Sequence, residues 1–333
     1  MVLISGCAKA PEKNVVKAGD ESTKPQIGMC FDSFVIERWQ RDRDVFVSIA
    51  KELGADVNIQ NANGDVETQK EQIDYFIAKE MDVIVIVCID SDSLTDSVKK
   101  AKDAGIKVIA YDRMINNADI DLYISFDNEK VGNLMGDVLI KNGIAGKNVI
   151  MVGGSPKDNN VSIVEKGFKK MMSSNNVSII GQTHCGGWKA ELAADYISEN
   201  FELVEEADAI MCGNDDIAAQ VINTLAERRL AGNIIVTGQD ADLSACQRVV
   251  EGTQIMTVYK PVEKLAQQAA EMAVHMATGE ELEDKDIVYW DNGSYKVPYI
   301  GLDPICVTKD NIDEVIINSG FHQKDEVYLN INK

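Results

Sequence analysis

From residue 26 onward the chain repeats one unit: a short apolar run, a polar turn and an amphipathic stretch. Ten such runs are read as strands, at 26–31, 56–60, 83–89, 107–111, 123–126, 148–153, 177–181, 209–212, 233–238 and 254–259. Between them the apolar period changes to that of a helix. Residues 66–79 place Gln69, Ile73, Phe76 and Ile77 at helical spacing, and 263–278 is rich in Ala, Leu, Met and Gln, all good helix formers. Continuous runs such as Val83-Ile84-Val85-Ile86-Val87 suit parallel strands covered on both faces. The alternation therefore predicts an α/β fold with parallel sheets flanked by helices. Ten strands crowd a single sheet, and 333 residues are about two domains' worth at ~150 residues each. Two sheets in two lobes fit both facts. No Pro- or Ser-rich linker divides the folded part, so the chain must cross between lobes through short segments, expected near 127–128, 261–262 and 301–304. The lobes expected are 25–128 with 263–300, and 129–262 with 301–333.

Composition removes several function classes. Lys and Arg number 33 against 54 Asp and Glu, a net charge of −21, which repels phosphate backbones and argues against a nucleic-acid partner. With 45% hydrophobic residues, this acidity goes with a folded chain and not a disordered one. The longest apolar run, 83–89, is a strand's length and far short of the ~20 residues of a membrane span. The seven cysteines form no C-x-x-C pair, and Cys30, Cys88, Cys212 and Cys306 read as small apolar residues in strands. No metal-ligand spacing, nucleophile elbow, phosphate loop or G-x-G-x-x-G after a strand occurs, and histidine appears only at His184, His275 and His322. An enzyme and a resident cofactor or metal are not expected. Asp112, Asp158 and Asp240 could imitate a glycosidase pair, but binding a sugar needs them only as acceptors.

The amino terminus points to export. Leu3-Ile4-Ser5-Gly6-Cys7 is similar to the end of a bacterial lipoprotein signal, in which the Cys is lipidated. Residues 8–24, with Pro, Gly and mixed charges, read as a flexible tether. The expectation is an extracytoplasmic protein held to the membrane through Cys7.

In open parallel sheets, ligands lie outside the carboxyl ends of the strands. Here those ends carry Asp32-Ser33, Asp112-Arg113, Asp127-Asn128, Asp158-Asn159-Asn160, Asn214-Asp215, Gln239-Asp240 and Lys260. Taken singly, each is more commonly a helix cap or a turn residue. Together they form a mixed set of planar acceptors and fixed donors, as vicinal hydroxyls require. Trp39 and Trp188 are placed to supply an aromatic face for the C–H side of a sugar. Alternatives stand beside this reading: Arg38 and Arg113 could pair with Glu37 and Asp112, Lys260 could be an edge-strand charge, and Trp290 reads as packing or surface.

The stretches IGMCFDSFVIERWQRDRDVF (27–46), QNANGDVETQKEQID (60–74), IKVIAYDRMINNADIDLYISFDNEKVG (106–132), GGSPKDNN (153–160), GQDADL (238–243), GTQIMTVYKP (252–261) and SGFHQ (319–323) carry a family likeness. The chain resembles the xylose-binding branch of the type I periplasmic sugar-binding proteins of bacteria. That resemblance implies two Rossmann-like lobes joined by a three-crossing hinge that close on one sugar, D-xylose. It implies a ligand set of Arg38, Trp39, Asp112, Arg113, Asp158, Asn160, Trp188, Asn214, Asp240 and Lys260. It implies delivery to an ABC permease or, alternatively, presentation of the sugar-bound state to a membrane sensor histidine kinase. The chain departs from the family pattern at Lys157, where an uncharged residue is expected, and around Trp188.

Overall fold

In a computed structural model the residues described are 24–280 and 288–331. Cys7 and nearly all of the tether lie outside them. Thirteen strands are formed among the described residues. In chain order they are β1 (Gln26–Phe31), β2 (Asp56–Asn61), β3 (Val83–Ile86), β4 (Lys107–Tyr111), β5 (Leu122–Phe126), β6 (Asn148–Gly153), β7 (Ser178–His184), β8 (Ala209–Cys212), β9 (Ile235–Gln239), β10 (Met256–Tyr259), β11 (Val288–Asp291), β12 (Lys296–Leu302) and β13 (Ile305–Thr308). The helices are α1 (Arg38–Glu52), α2 (Val66–Ala78), α3 (Thr95–Asp103), α4 (Asn128–Lys141), α5 (Asn159–Ser174), α6 (Glu191–Glu199), α7 (Phe201–Glu205), α8 (Asp215–Glu227), α9 (Leu243–Glu251), α10 (Val262–Thr278) and α11 (Lys324–Val327).

The strands form two sheets, in the orders β11-β12-β5-β4-β3-β1-β2 and β13-β10-β9-β8-β6-β7. Both are parallel except at one edge, where β11 runs antiparallel to β12 and β13 antiparallel to β10. All four residues of β3 are fully buried, because helices cover both faces of the first sheet. One face packs on α1 and α10, where Leu265, Ala266, Ala269, Ala270 and Ala273 join Phe46 and Ala50 in one core. The other face packs on α2 and α3 through Ile73, Phe76, Val98 and Ala101. The second sheet is enclosed in the same way, by α6 and α8 on one side and by α4 and α5 on the other.

Helices α4 and α5 approach closely because both carry glycine at the contact. A Cβ on Gly132 would lie 1.9 Å from the Val164 carbonyl oxygen, and one on Gly167 would lie 2.1 Å from that of Glu129. The chain passes between the sheets three times: from β5 into α4, from β10 into α10, and from β12 into β13. All ten expected strands form, most with ends shifted by one to three residues. Three more, β11, β12 and β13, form beyond them.

Candidate functional site

Most of the site residues sit where a strand ends or a helix begins. Arg38 and Trp39 open α1, just past β1. The Arg38 guanidinium grips Asp42, one helical turn on, through Nε (3.2 Å) and Nη2 (3.0 Å). Its Nη1 reaches Asp112 Oδ2 at 2.9 Å. Tyr111, the last residue of β4, donates its hydroxyl to Asp42 from the other side. Asp112 follows with a positive φ of 62°. Arg113 then points back under the sheet ends, with Nη1 on Asp32 Oδ2 (2.8 Å) and on the Cys88 carbonyl (3.1 Å). Its Nε stands 2.7 Å from Asp158 Oδ2, an ion pair that spans the two lobes.

The second lobe supplies the opposite wall. Asp158 caps α5 by accepting from the Asn160 N–H (2.9 Å) while it holds Arg113. The Asn160 amide donates to the carbonyl oxygen of Asp112 (3.0 Å) and to its Oδ1 (3.2 Å) and accepts from Asn128 (2.9 Å). Lys260, one residue past β10, lies 2.8 Å from Asp240 Oδ1. Trp188 ends a short turn and stands over Gly154, where a Cβ would fall 2.2 Å from its ring. The Arg38 guanidinium carbon is 4.4 Å from the Trp39 ring centre, and that of Arg113 is 5.4 Å from it and 6.0 Å from the Trp188 ring. Such stacking suits a planar, weakly hydrated cation.

These residues enclose one cavity between the lobes. Arg38, Trp39, Asp112, Arg113, Asp158, Asn160, Trp188, Asp240 and Lys260 all line it. Asn214 does not; its Oδ1 accepts from the Ile217 N–H at 3.0 Å and caps α8. Asn128, Glu165, Gln239, Gly153, Gly154 and Gly213 also line it, with the apolar Ile36, Val161, Val164 and Met211, and were not expected from the sequence. Of the polar residues and glycines among these, all but Glu165 stand at or just past a strand end. The ion pairs also differ from the alternatives weighed above. Arg38 pairs with Asp42 and Asp112 and not with Glu37, and Arg113 pairs with Asp32 and Asp158 and not with Asp112. Lys260 is buried and paired, so it is no edge charge. Trp290, half-buried in β11, packs its ring edge-on against Tyr123 and Tyr299.

The charges are tuned by one another. Burial works to raise the Asp112 carboxyl, but Arg38, Lys260 and Arg113 outweigh it and hold it below the ordinary carboxylate value. Burial pushes Asp158 and Asp42 the other way, upward, against the pull of Arg113 and Arg38 respectively. Every cation on the wall thus has a carboxylate partner, which a buried charge requires. The indole N–H groups of Trp39 and Trp188 and the Oε1 of Gln239 are buried without a hydrogen-bond partner among the described residues. Leaving such groups unmade is costly. Fixed donors, fixed acceptors and two indoles around a small enclosed space can seat a neutral polyhydroxy ligand. Among the described residues no cluster of three or more His, Cys, Asp or Glu could hold a metal ion. Five of the six described thiols are buried and one is half-buried, none in a disulfide, and burial pushes Cys30 up to about 12 and Cys185 and Cys306 to about 11.

Comparison with known proteins agrees with this architecture. The family described as "Periplasmic binding protein domain" matches residues 27–281. The chain is 42% identical over 320 residues to the D-xylose-binding periplasmic protein of Haemophilus influenzae, covering 94% of this chain and 95% of that one. It is also 42% identical to the Escherichia coli protein of the same name, over 98% of both chains. A solved ABC-transporter solute-binding protein of Clostridium phytofermentans, with β-D-glucose bound, superposes with a TM-score of 0.81 at 29% identity, over 91% of this chain and 99% of that one. With the family model over residues 27–281 and two relatives 42% identical over nearly the whole chain, the chain belongs to the periplasmic binding protein family.

Proposed function

We propose that this protein captures D-xylose outside the cytoplasm and delivers it to an ABC permease. The cavity carries the reading. It is closed on both sides by residues of different lobes, and its walls mix carboxylates, guanidinium groups, an ammonium and amides with two indoles. A pyranose offers hydroxyls in its ring plane and C–H groups on its faces, which is what those groups can receive. Xylose is chosen on the two relatives that carry that name at 42% identity. Because those relatives are named as binding proteins, no reaction is assigned to the cavity. The wall residues named above are the proposed ligand set, and Asn214, expected among them, supports the wall from behind as the cap of α8. The three crossings are the proposed hinge, and closure follows from the sugar binding both lobes at once. Solved relatives titled as ABC-transporter components favour delivery to a permease over presentation to a sensor kinase. Export and lipidation at Cys7 rest on the Leu3-Ile4-Ser5-Gly6-Cys7 pattern; loss of membrane association in Cys7→Ser on fractionation checks them.

The test is a thermal-shift screen over pentoses and hexoses. A ligand that binds only the folded state raises the melting midpoint. D-xylose is expected to give the largest rise, and no rise with D-xylose would overturn the assignment.

A further inference from the structure

Asp240 stands on strained backbone. Its φ is 99° and that of Ala241 is 57°, two successive non-glycine residues in a region that L side chains disfavour and that persists only where the surroundings hold it. The surroundings do so one N–H at a time. Asp240 N–H donates to the Val258 carbonyl (2.8 Å), Ala241 N–H to Thr257 Oγ1 (3.1 Å), and Asp242 N–H to Asp215 Oδ2 (3.1 Å). Thr257 in turn donates its hydroxyl to the same Asp215 Oδ2 at 2.7 Å. Asp215 Oδ1 accepts from the Gln254 amide at 2.8 Å. Arg248 braces the assembly from below, with Nε on Gln254 Oε1 (3.0 Å) and Nη2 on the Asp215 carbonyl (3.0 Å). Space for the carboxylate is provided by Gly238, where a Cβ would lie 2.2 Å from Asp215 Oδ1. Asp215 and Thr257 are fully buried, and neither lines the cavity.

We infer that Asp215 and Thr257 are positioning residues of the binding site: their buried clamp holds the Asp240 turn so that the Asp240 carboxylate faces Lys260 and the ligand. The inference rests on the reading of Asp240 as a sugar contact. Thr257 is the joint of the clamp, because one hydroxyl accepts from the turn and donates to Asp215. Valine has the same shape and can do neither.

The test is a double-mutant cycle read by calorimetry with D-xylose, with melting curves to verify folding. Thr257→Val is expected to weaken binding by about tenfold or more, since it leaves the Ala241 N–H unpaired and frees the turn. Thr257→Ser, which keeps the hydroxyl, is expected to bind as the wild type does. Asp215→Asn reads the clamp from its other end, is expected to weaken binding likewise, and decides the matter should Thr257→Val not fold. In an Asp240→Asn background, itself weakened, adding Thr257→Val is expected to change affinity little. An unchanged affinity in Thr257→Val, or an equal loss with and without Asp240, would overturn the clamp while leaving Asp240 a contact. Wild-type affinity in Asp240→Asn would instead overturn Asp240 as a contact, and the clamp with it.

Discussion

At the scale of single residues, the cavity is a set of charges that satisfy one another before any ligand arrives. Arg38 and Arg113 each hold two carboxylates. Glycine matters as much as charge. Gly154 leaves the room that the Trp188 indole fills, so Gly154→Ala has to push the ring aside. Overpacking of this kind costs about 1–3 kcal/mol. The variant should bind D-xylose correspondingly less tightly by calorimetry, with an altered tryptophan signal in near-ultraviolet circular dichroism; an unaltered affinity would show that the indole has no part in binding. Strand ends announce much of this wall in the sequence, because Asp112, Arg113, Asp240 and Lys260 stand at or just past strand ends and Asp158 and Asn160 lie in and just beyond the short loop after β6. Asp42 could not be singled out. It lies among six charged residues between Glu37 and Asp44, and which of them faces inward depends on how α1 packs. Glu165 lies inside a helix, and only the close approach of Gly153 brings it to the cavity.

Among the elements, the strands that sequence patterning reveals are those covered on both faces, such as β3 and β4. The three it does not reveal are edge or near-edge strands. Of the four β11 residues three are exposed, and β12 contains Pro298, which sits just before the pairing with β5 begins at Tyr299. Strand β13 is short, follows Pro304, and pairs on one side only. β7 shows the same effect, since its expected end at 181 misses the polar Gln182-Thr183-His184 of an exposed edge. Length misleads in the other direction at β3, whose apolar run continues to Ile89 although the chain leaves the sheet after Ile86. Helix pairing carries the clearest prediction here. Gly132→Ala places a methyl against the backbone of α5, which no side-chain rotation relieves. The two helices must separate, at a cost of about 1–3 kcal/mol or more. The melting midpoint should fall by several degrees, and an unshifted midpoint would mean that α4 and α5 tolerate a wider spacing.

For the whole molecule, the lobes touch outside the cavity as well as across it. On one rim, Ser91 N–H donates to the Lys157 carbonyl (3.0 Å), Asn159 N–H donates to Ser91 Oγ (3.1 Å), and the Lys157 ammonium lies 3.1 Å from Asp90. On another, Arg41 donates to the Phe321 carbonyl (3.1 Å) and stacks 4.1 Å from the centre of its ring. Such contacts favour the closed arrangement whether or not sugar is present, so they set how much of a sugar's binding energy goes into closing. Ser91→Ala removes one of them without touching the cavity. Small-angle scattering of the sugar-free variant should show a larger radius than wild type, and xylose should dissociate faster; an equal radius and rate would make the rim contacts incidental. The crossings have a consequence of another kind, for the order in which the chain is made. The first sheet has its five leading strands by Phe126, yet its inner face is covered by α10, whose last core residue is Met276. At ~5–20 residues per second of synthesis, that helix arrives about 8–30 s later. Until then that face of the sheet has α1 alone to cover it. The lobe begun first therefore waits for a helix made only after ten of the thirteen strands.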